Sequence, residues 1–426
     1  MKALTTLLIA CFTGLLSTAQ NIGNIINAKE VERIETVLAS DKMQGRKTFT
    51  PSIDSAAHFI AGEFEKSELK YFDGLSGYQQ PFSMLKANLI SASGNMNGHS
   101  LDPGNIIAVT TNTELKFDEN SGYTKIVIDS MGNFFREAFG LLKDDKKYLV
   151  LVNNTHAKNF KQLKSFNRPS FETKAPVVFV LTNENPSTYD FEIKNKITSA
   201  SLANVVGVLP GKSKKDEYVV FSAHYDHLGI GKPDAKGDSI YNGANDDAAG
   251  STAVIMLAKY FSKLNNNERT LIFVTFTAEE IGGFGSQYFS KQINPEKVAA
   301  MFNIEMIGTD SKWGNNSAYI TGYEKSDFGK ILQSNLEGSN FHFEPDPYPQ
   351  QNLFYRSDNA TLAALGVPAH TISTSKMDNE PNYHQQSDEI STLDMNNMAE
   401  IIKAIAISSK TIISGKDTPT RVEKLE

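Results

Sequence analysis

The chain has 426 residues, 40% of them apolar, enough to core a large α/β domain or two to three smaller units. A formal net charge of −7, with no polybasic block, argues against nucleic acid or anionic lipid as the main partner. The single cysteine, Cys11, excludes a disulfide framework.

Lys2, the apolar run from Ala3 to Leu16 and the small residues Ser17-Thr18-Ala19 read as a cleavable export signal over residues 1–19. The expected product is exported, periplasmic or secreted, begins at Gln20 and has no thiol nucleophile. The run is too short to span a bilayer. Leu8-Ile9-Ala10-Cys11 resembles a lipobox, but the apolar run continues past Cys11 to Leu16, so a lipoprotein is the less favoured reading. No later segment reads as a stable membrane span.

Residues 20–84 form an N-terminal helical part. Ile25 to Ala39 carries Ile26, Val31, Ile34 and Leu38 at helical spacing, and Ser52 to Ser67 does the same with Ile53, Ala57, Ile60 and Phe64. Between them lies a polar connector holding the pair Gly45-Arg46. Residues 85–200 change texture. Short β-like runs (Asn105–Thr110, Tyr123–Ile128, Tyr148–Val152, Ala175–Leu181) alternate with turn signals, predicting a β-rich inserted unit. Its histidines, His99 and His156, have no acidic or histidine partner nearby in sequence.

From Asn204 strands and helices alternate. Strands are predicted at Asn204–Leu209, Tyr218–Ala223, Thr270–Phe276, Ala300–Ile304, Ala318–Thr321 and Ala369–Ser373. Helices are predicted at Gly250–Phe261, Ser286–Ile293, Asp327–Leu336, Asn359–Leu365 and Asp394–Ile407. The fold class is therefore α/β: a mixed, mostly parallel central sheet flanked by helices over residues 201–415, with the β-rich insert ahead of it. Lys416 to Glu426 reads as a polar tail that frays.

Chemistry gathers at the predicted strand ends. Val219 to Ala223 runs into His224, with Asp226 placed to take the other ring N–H of that histidine. Asp246-Asp247 opens a helix. Glu279-Glu280 follows the apolar strand ending at Phe276, Glu305 follows Ile304, and Tyr383-His384 precedes Asp388. Open α/β sheets bind ligands at the carboxyl ends of their strands. Like charges packed there need a cation or a proton between them. Imidazole with carboxylate and no thiolate suits zinc, and to a lesser degree manganese, cobalt or iron(II). There are more ligand positions than one tetrahedral ion uses. A two-metal site with a shared carboxylate accounts for the surplus.

The run of His224-x-Asp226, Asp246-Asp247, Glu279-Glu280, Asn303-Ile-Glu305-Met-Ile-Gly308 and Tyr383-His384 resembles, in order and spacing, the co-catalytic zinc aminopeptidases of peptidase family M28. The resemblance covers roughly Ser201 to Ile407. Leu38 to Arg46 is similar to a stretch often found in their N-terminal helices. The insert sits where many members carry a protease-associated unit, with little sequence likeness.

The resemblance implies a zinc-exopeptidase fold, phosphorylase/hydrolase-like, with two Zn²⁺ per chain acting on peptides that have a free N-terminus. His224 and Glu305 would bind one zinc, with Asp226 supporting His224. Asp246 would bridge both metals, and Asp247 would hold the peptide between the two aspartates. Glu280 and His384 would bind the second zinc, and Glu279 would be the general base. Tyr383, Tyr355 and Asp358 would face substrate, either tyrosine able to donate to the oxyanion. His227 is read as a supporting or loop residue rather than a ligand, and His58, His342 and His370 as surface or packing residues. The chain departs from the family twice: members more often have Asp at Glu305, and Arg356-Ser-Asp-Asn359 usually ends in His. Two alternatives stay open at this point. A glutaminyl-cyclase-like acyltransferase would use one zinc and would not need His224. A non-catalytic binding ectodomain would tend to have lost the ligands or the base.

Overall fold

The computed structural model describes residues 22–173 and 175–425. The signal read over residues 1–19, with Cys11, lies outside them. Two compact units divide the chain. One joins the part up to Pro81 to Leu202–Glu426, and the other is Phe82–Ser201.

In the larger unit the sheet runs in the order His342–Pro345, Ser317–Ile320, Ala369–Ser373, Val298–Ile304, Lys214–His224, Arg269–Phe276 and the end of Tyr189–Leu209. The four strands from Ala369–Ser373 to Arg269–Phe276 are mutually parallel. Antiparallel neighbours stand on both sides of that block. The sheet is thus mixed, with a parallel centre.

Period-two alternation explains how it is covered. Phe221 pairs with Phe273 and with Phe302, and their rings stack at 5.6 and 4.9 Å. Phe261, from the helix Ala249–Leu264, packs on the same face. The neighbouring positions Val220, Ile272, Val274 and Phe276 point the other way. They bury against Phe289 of the helix Phe284–Gln292 and Leu362 of the helix Asn359–Ala364. Helices therefore cover both faces, and the central strands read as unbroken apolar runs because neither face meets water. The helices Ala28–Leu38 and Pro51–Lys66 both pack on Ala249–Leu264, which is why one helix face is apolar in the first two and nearly all of Ala249–Ala258 is buried.

Some elements differ from expectation. The strand His342–Pro345 has too short an apolar signal to be read alone. The strand ending at Leu209 begins at Tyr189, not Asn204, because its first half alternates polar and apolar residues. The closing segment does not fray. Val422 is buried, Arg421 donates to the carbonyl of Val298 at 2.9 Å, and the Leu425 amide bonds the Ala364 carbonyl at 3.0 Å.

The unit Phe82–Ser201 carries a four-stranded sheet in the order Ile106–Val109, Val177–Leu181, Tyr148–Val152, Thr124–Ile128. It also holds a helix, Phe134–Lys143, capped by the Asn133 side chain, whose buried Phe134 and Ala138 pack on that sheet. Sequence reading missed this helix. Among the described residues no helix is long and apolar enough to cross a membrane.

Candidate functional site

Parallel register brings the strand ends together. His224 pairs with Phe276, Ser222 with Asn303, and Ile304 with Ile372. The residues at or just beyond these ends, His224, Glu279-Glu280 and Glu305, therefore share one edge of the sheet.

His224 is buried at the last position of its strand. Its Nδ1 lies 3.1 Å from the backbone oxygen of Asp226, which fixes that nitrogen as the donor and leaves Nε2 as the free lone pair. Nε2 has no hydrogen-bond partner and stands 3.2 Å from Oδ1 of Asp246. The Asp226 carboxylate does something other than expected. It sits 4.0 Å from Nδ1 and instead accepts the backbone N–H groups of Glu279 at 3.1 Å and Glu280 at 3.4 Å. Asp226 thus orients His224 through its main chain and the glutamate loop through its side chain.

Asp246 and Asp247 are joined by a cis peptide bond. The buried Asp247 carboxylate accepts three amides from three segments: His224 at 3.3 Å, Gly250 at 2.9 Å and Met306 at 3.1 Å. Gly250 is required here, since a Cβ would lie 2.2 Å from the Ile304 carbonyl. On the far side, Asp388 accepts the amides of Asn245 at 2.8 Å and Asp246 at 3.0 Å. In sequence Asp388 stands out only as part of the His384 cluster. The fold shows it tying that loop to the aspartate loop.

The two oxygens of Asp246 face two histidines: Oδ1 toward His224, and Oδ2 at 3.2 Å from Nε2 of His384. The same His384 nitrogen is 3.3 Å from Oε2 of Glu280. These spacings are longer than a charge-assisted hydrogen bond, and they match the edge of a tetrahedron with ~2.0 Å zinc–ligand bonds, about 3.3 Å. Donor atoms of His224, Asp246 and Glu305 all lie within 4.8 Å of one another, and so do those of His227, Asp246 and Glu280. In the second group, however, Nδ1 of His227 is only 2.7 Å from Oε1 of Glu280 and 3.9 Å from Asp246. That is hydrogen-bond geometry, so His384 rather than His227 stands at ligand spacing.

The electrostatics point the same way. Asp226, Asp246, Asp247, Glu279, Glu280, Glu305 and Asp358 crowd around His224, His227 and His384. Burial pushes Asp226 and Glu305 up to about 7, and Asp247 and Glu279 well above their usual range. The Asp246 and Glu280 carboxylates facing its Nε2 raise His384 to about 10. Burial works against a charged His224, but Asp246, Glu279 and Asp247 outweigh it and raise that group too. Burial also works against a charged Asp246, yet His224 and His384 hold it well below the usual carboxylate range. Carboxylates this crowded and buried need a cation or protons among them. Oε2 of Glu305 is buried without a partner, as is Nε2 of His224. The residues present fit a bound metal cation.

A cavity of about 60 Å³ adjoins Asp246, Glu279 and Glu305. Tyr383 lines it and stacks on His384 at 3.9 Å, while Tyr319, Thr321, Ser373 and Met377 form other parts of the wall. Two expected substrate-facing residues are not brought there. Tyr355 packs against Phe354 at 4.8 Å and joins the core cluster behind it. Asp358 is buried and does not line the cavity, whereas its neighbours Arg356 and Ser357 do. Asp358 is the buried residue that precedes the helix Asn359–Ala364, a placement that sequence spacing could not show.

Comparison with known proteins agrees with this geometry. Residues 204–408 match the profile described as Peptidase family M28. The chain is 22% identical over 272 residues to the vacuolar membrane protease of Schizosaccharomyces pombe, a match covering 61% of this chain and 29% of that protein. It is 20% identical over 244 residues to aminopeptidase YwaD of Bacillus subtilis, covering 53% of this chain and 48% of that one. The chain therefore spans less than half the length of these curated relatives. The fold is similar to the structure of a zinc aminopeptidase from Bacillus subtilis, with a TM-score of 0.55 at 16% identity, covering 91% of this chain and 95% of that one. The matched segment contains every member of the histidine–carboxylate cluster, and over those residues the chain is similar to peptidase family M28.

Proposed function

We propose that this protein is a metallo-aminopeptidase that removes the N-terminal residue of peptides at a two-zinc site. The observation that carries the reading is Asp246, whose two oxygens each stand 3.2 Å from Nε2 of a different histidine. One carboxylate shared between His224 with Glu305 and His384 with Glu280 is the arrangement a metal pair needs. The set suits zinc, which when bound lowers the pKa of its water and polarises the scissile carbonyl.

The chain's own residues do the rest. Glu279 stands beside the ligands at the cavity wall, and its carboxylate takes the proton of the attacking water and delivers it to the leaving amine nitrogen. Asp226 holds the Glu279 backbone at 3.1 Å, which fixes where that carboxylate can reach. The Tyr383 hydroxyl is the donor for the developing oxyanion. The side chain of the first substrate residue occupies the cavity walled by Tyr319, Thr321, Ser373 and Met377, and its free ammonium group is attracted by the surrounding carboxylates.

The test is a panel of aminoacyl chromogenic substrates, free and N-acetylated, with elemental analysis of the purified protein. Two zinc ions per chain and release confined to unblocked substrates are expected. A single tightly bound zinc with transfer to form pyroglutamate would favour an acyltransferase. Absence of release from every substrate by the metal-replete protein would leave a binding ectodomain.

A further inference from the structure

Arg46 is fully buried, yet it touches no substrate-facing surface and holds no side-chain carboxylate. Its guanidinium donates to four backbone carbonyls: Tyr225 from Nε at 2.7 Å, Leu38 and Asn242 from Nη1 at 2.7 and 2.6 Å, and Gly243 from Nη2 at 2.8 Å. Tyr225 lies between His224 and Asp226. Asn242 and Gly243 lead into Asp246. A single planar fork therefore ties the two segments that present these ligands, and fixes them relative to the end of the helix Ala28–Leu38.

The surroundings show how closely the fork is seated. Gly45 and Arg46 both have left-handed φ, at 66° and 49°. A Cβ on Gly45 would come 2.3 Å from the Tyr241 carbonyl, so only glycine lets the chain approach there. The Arg46 carbonyl accepts the His227 amide at 3.3 Å, and Asn242 donates back to the Ala39 carbonyl at 2.9 Å. From the opposite side Asp388 accepts the amides of Asn245 and Asp246 at 2.8 and 3.0 Å. The loop Asn242–Asp246 is thus held by its carbonyls at one end and by its amides at the other. Burying a charge that makes no ion pair is costly, and carbonyls can be satisfied by neutral donors. A cation spent wholly on main chain at this one place needs a reason.

We propose that Arg46 is a positioning residue of the metal centre: it sets the backbone of Tyr225 and of Asn242–Gly243 so that His224 and Asp246 face each other at ligand spacing. This rests on the metallopeptidase reading, and it predicts that metal affinity depends on a residue that touches no ligand side chain.

The test compares Arg46→Lys with Arg269→Lys. Arg269 is equally buried and also donates to backbone carbonyls, those of Ile412 and Asp417 at 2.8 Å, but away from the cluster. Zinc dissociation constants are measured by competition with a chromogenic chelator, alongside Tm and the absorption spectrum of the cobalt-substituted protein. Arg46→Lys should bind zinc at least ~10-fold more weakly, with an altered cobalt spectrum. Arg269→Lys should lower Tm but keep the wild-type constant within about twofold. If Arg46→Lys does not fold, Arg46→Met, which removes the charge together with its hydrogen bonds, takes its place. Wild-type affinity and spectrum in the Arg46 variant, or equal weakening in both variants, would overturn the proposal while wild-type zinc binding upholds the peptidase reading. Failure of the wild type to bind zinc would overturn both.

Discussion

Nδ1 of His227 lies 2.7 Å from Oε1 of Glu280, while the other oxygen of the same carboxylate stands 3.3 Å from Nε2 of His384. One glutamate is therefore gripped by a hydrogen bond on one side and held at ligand spacing on the other. The ring of His227 is in turn cradled by Gly243, where a Cβ would come within 2.5 Å of it. His227→Phe keeps the ring and removes the donor. It should weaken zinc at the Glu280–His384 position by about 10–100-fold without changing the His224–Glu305 position. Stepwise metal titration followed by calorimetry checks this, and two unchanged binding constants would reduce the contact to packing.

Glu279→Gln removes the proton acceptor while leaving the metal-facing set intact. With zinc retained, kcat should fall on the order of 10²–10⁴-fold. Near-normal turnover by a metal-replete, correctly folded variant would take Glu279 out of that role.

Glu305 brings a longer arm than the Asp that the sequence resemblance leads one to expect there, and its Oε2 is buried without a hydrogen-bond partner. Its extra rotamer freedom should make the His224–Glu305 position the weaker of the two. During chelator titration the first metal should leave with part of the activity remaining, and Glu305→Asp should delay that step. Loss of both metals in one step from wild type, with Glu305→Asp no tighter, would show the longer side chain is fully accommodated.

His370 gives a pH dependence separate from the metal cluster. It is buried, with Nδ1 2.8 Å from the Thr321 carbonyl and Nε2 2.7 Å from the Ser326 hydroxyl, and burial lowers its pKa to about 4. The unfolded chain binds the proton near pH 6.5, so below that value it holds more protons than the folded one. Stability should therefore fall as pH drops from about 6.5 to about 4, by up to roughly 3 kcal/mol from this residue. In His370→Asn the stability difference from wild type should shrink over that window. A difference that stays constant from pH 7 to pH 4.5, measured by urea unfolding, would assign the acid sensitivity elsewhere.

Which polar groups stand at the strand ends was legible because the signal is one-dimensional. An apolar run buried on both faces must end where the chain leaves the sheet, so His224, Glu279 and Glu305 announce themselves as polar groups at strand ends. The central strands and most helices follow from the same local periodicities. Tyr189–Leu209 did not, because its first half alternates buried apolar with exposed polar residues, as the short strands around it do.

What the sequence determined by itself is the chemistry available: imidazoles and carboxylates without thiolate, set at the ends of parallel strands. The tertiary structure decided how those groups divide the work. Backbone direction turns the Asp226 carboxylate to the Glu279 and Glu280 amides rather than to His224, and the fold buries Asp358 off the cavity wall. Distance separates His384 from His227, since 3.3 Å and 2.7 Å mean different things to the same glutamate. The buried fork of Arg46 and the anchoring of Val422 likewise appear only in three dimensions. Spacing along a chain specifies which groups can meet, whereas orientation is set by hydrogen bonds to backbone brought from 50 to 200 residues away, as with the 53 between Asp226 and Glu279 and the 197 between Arg46 and Gly243.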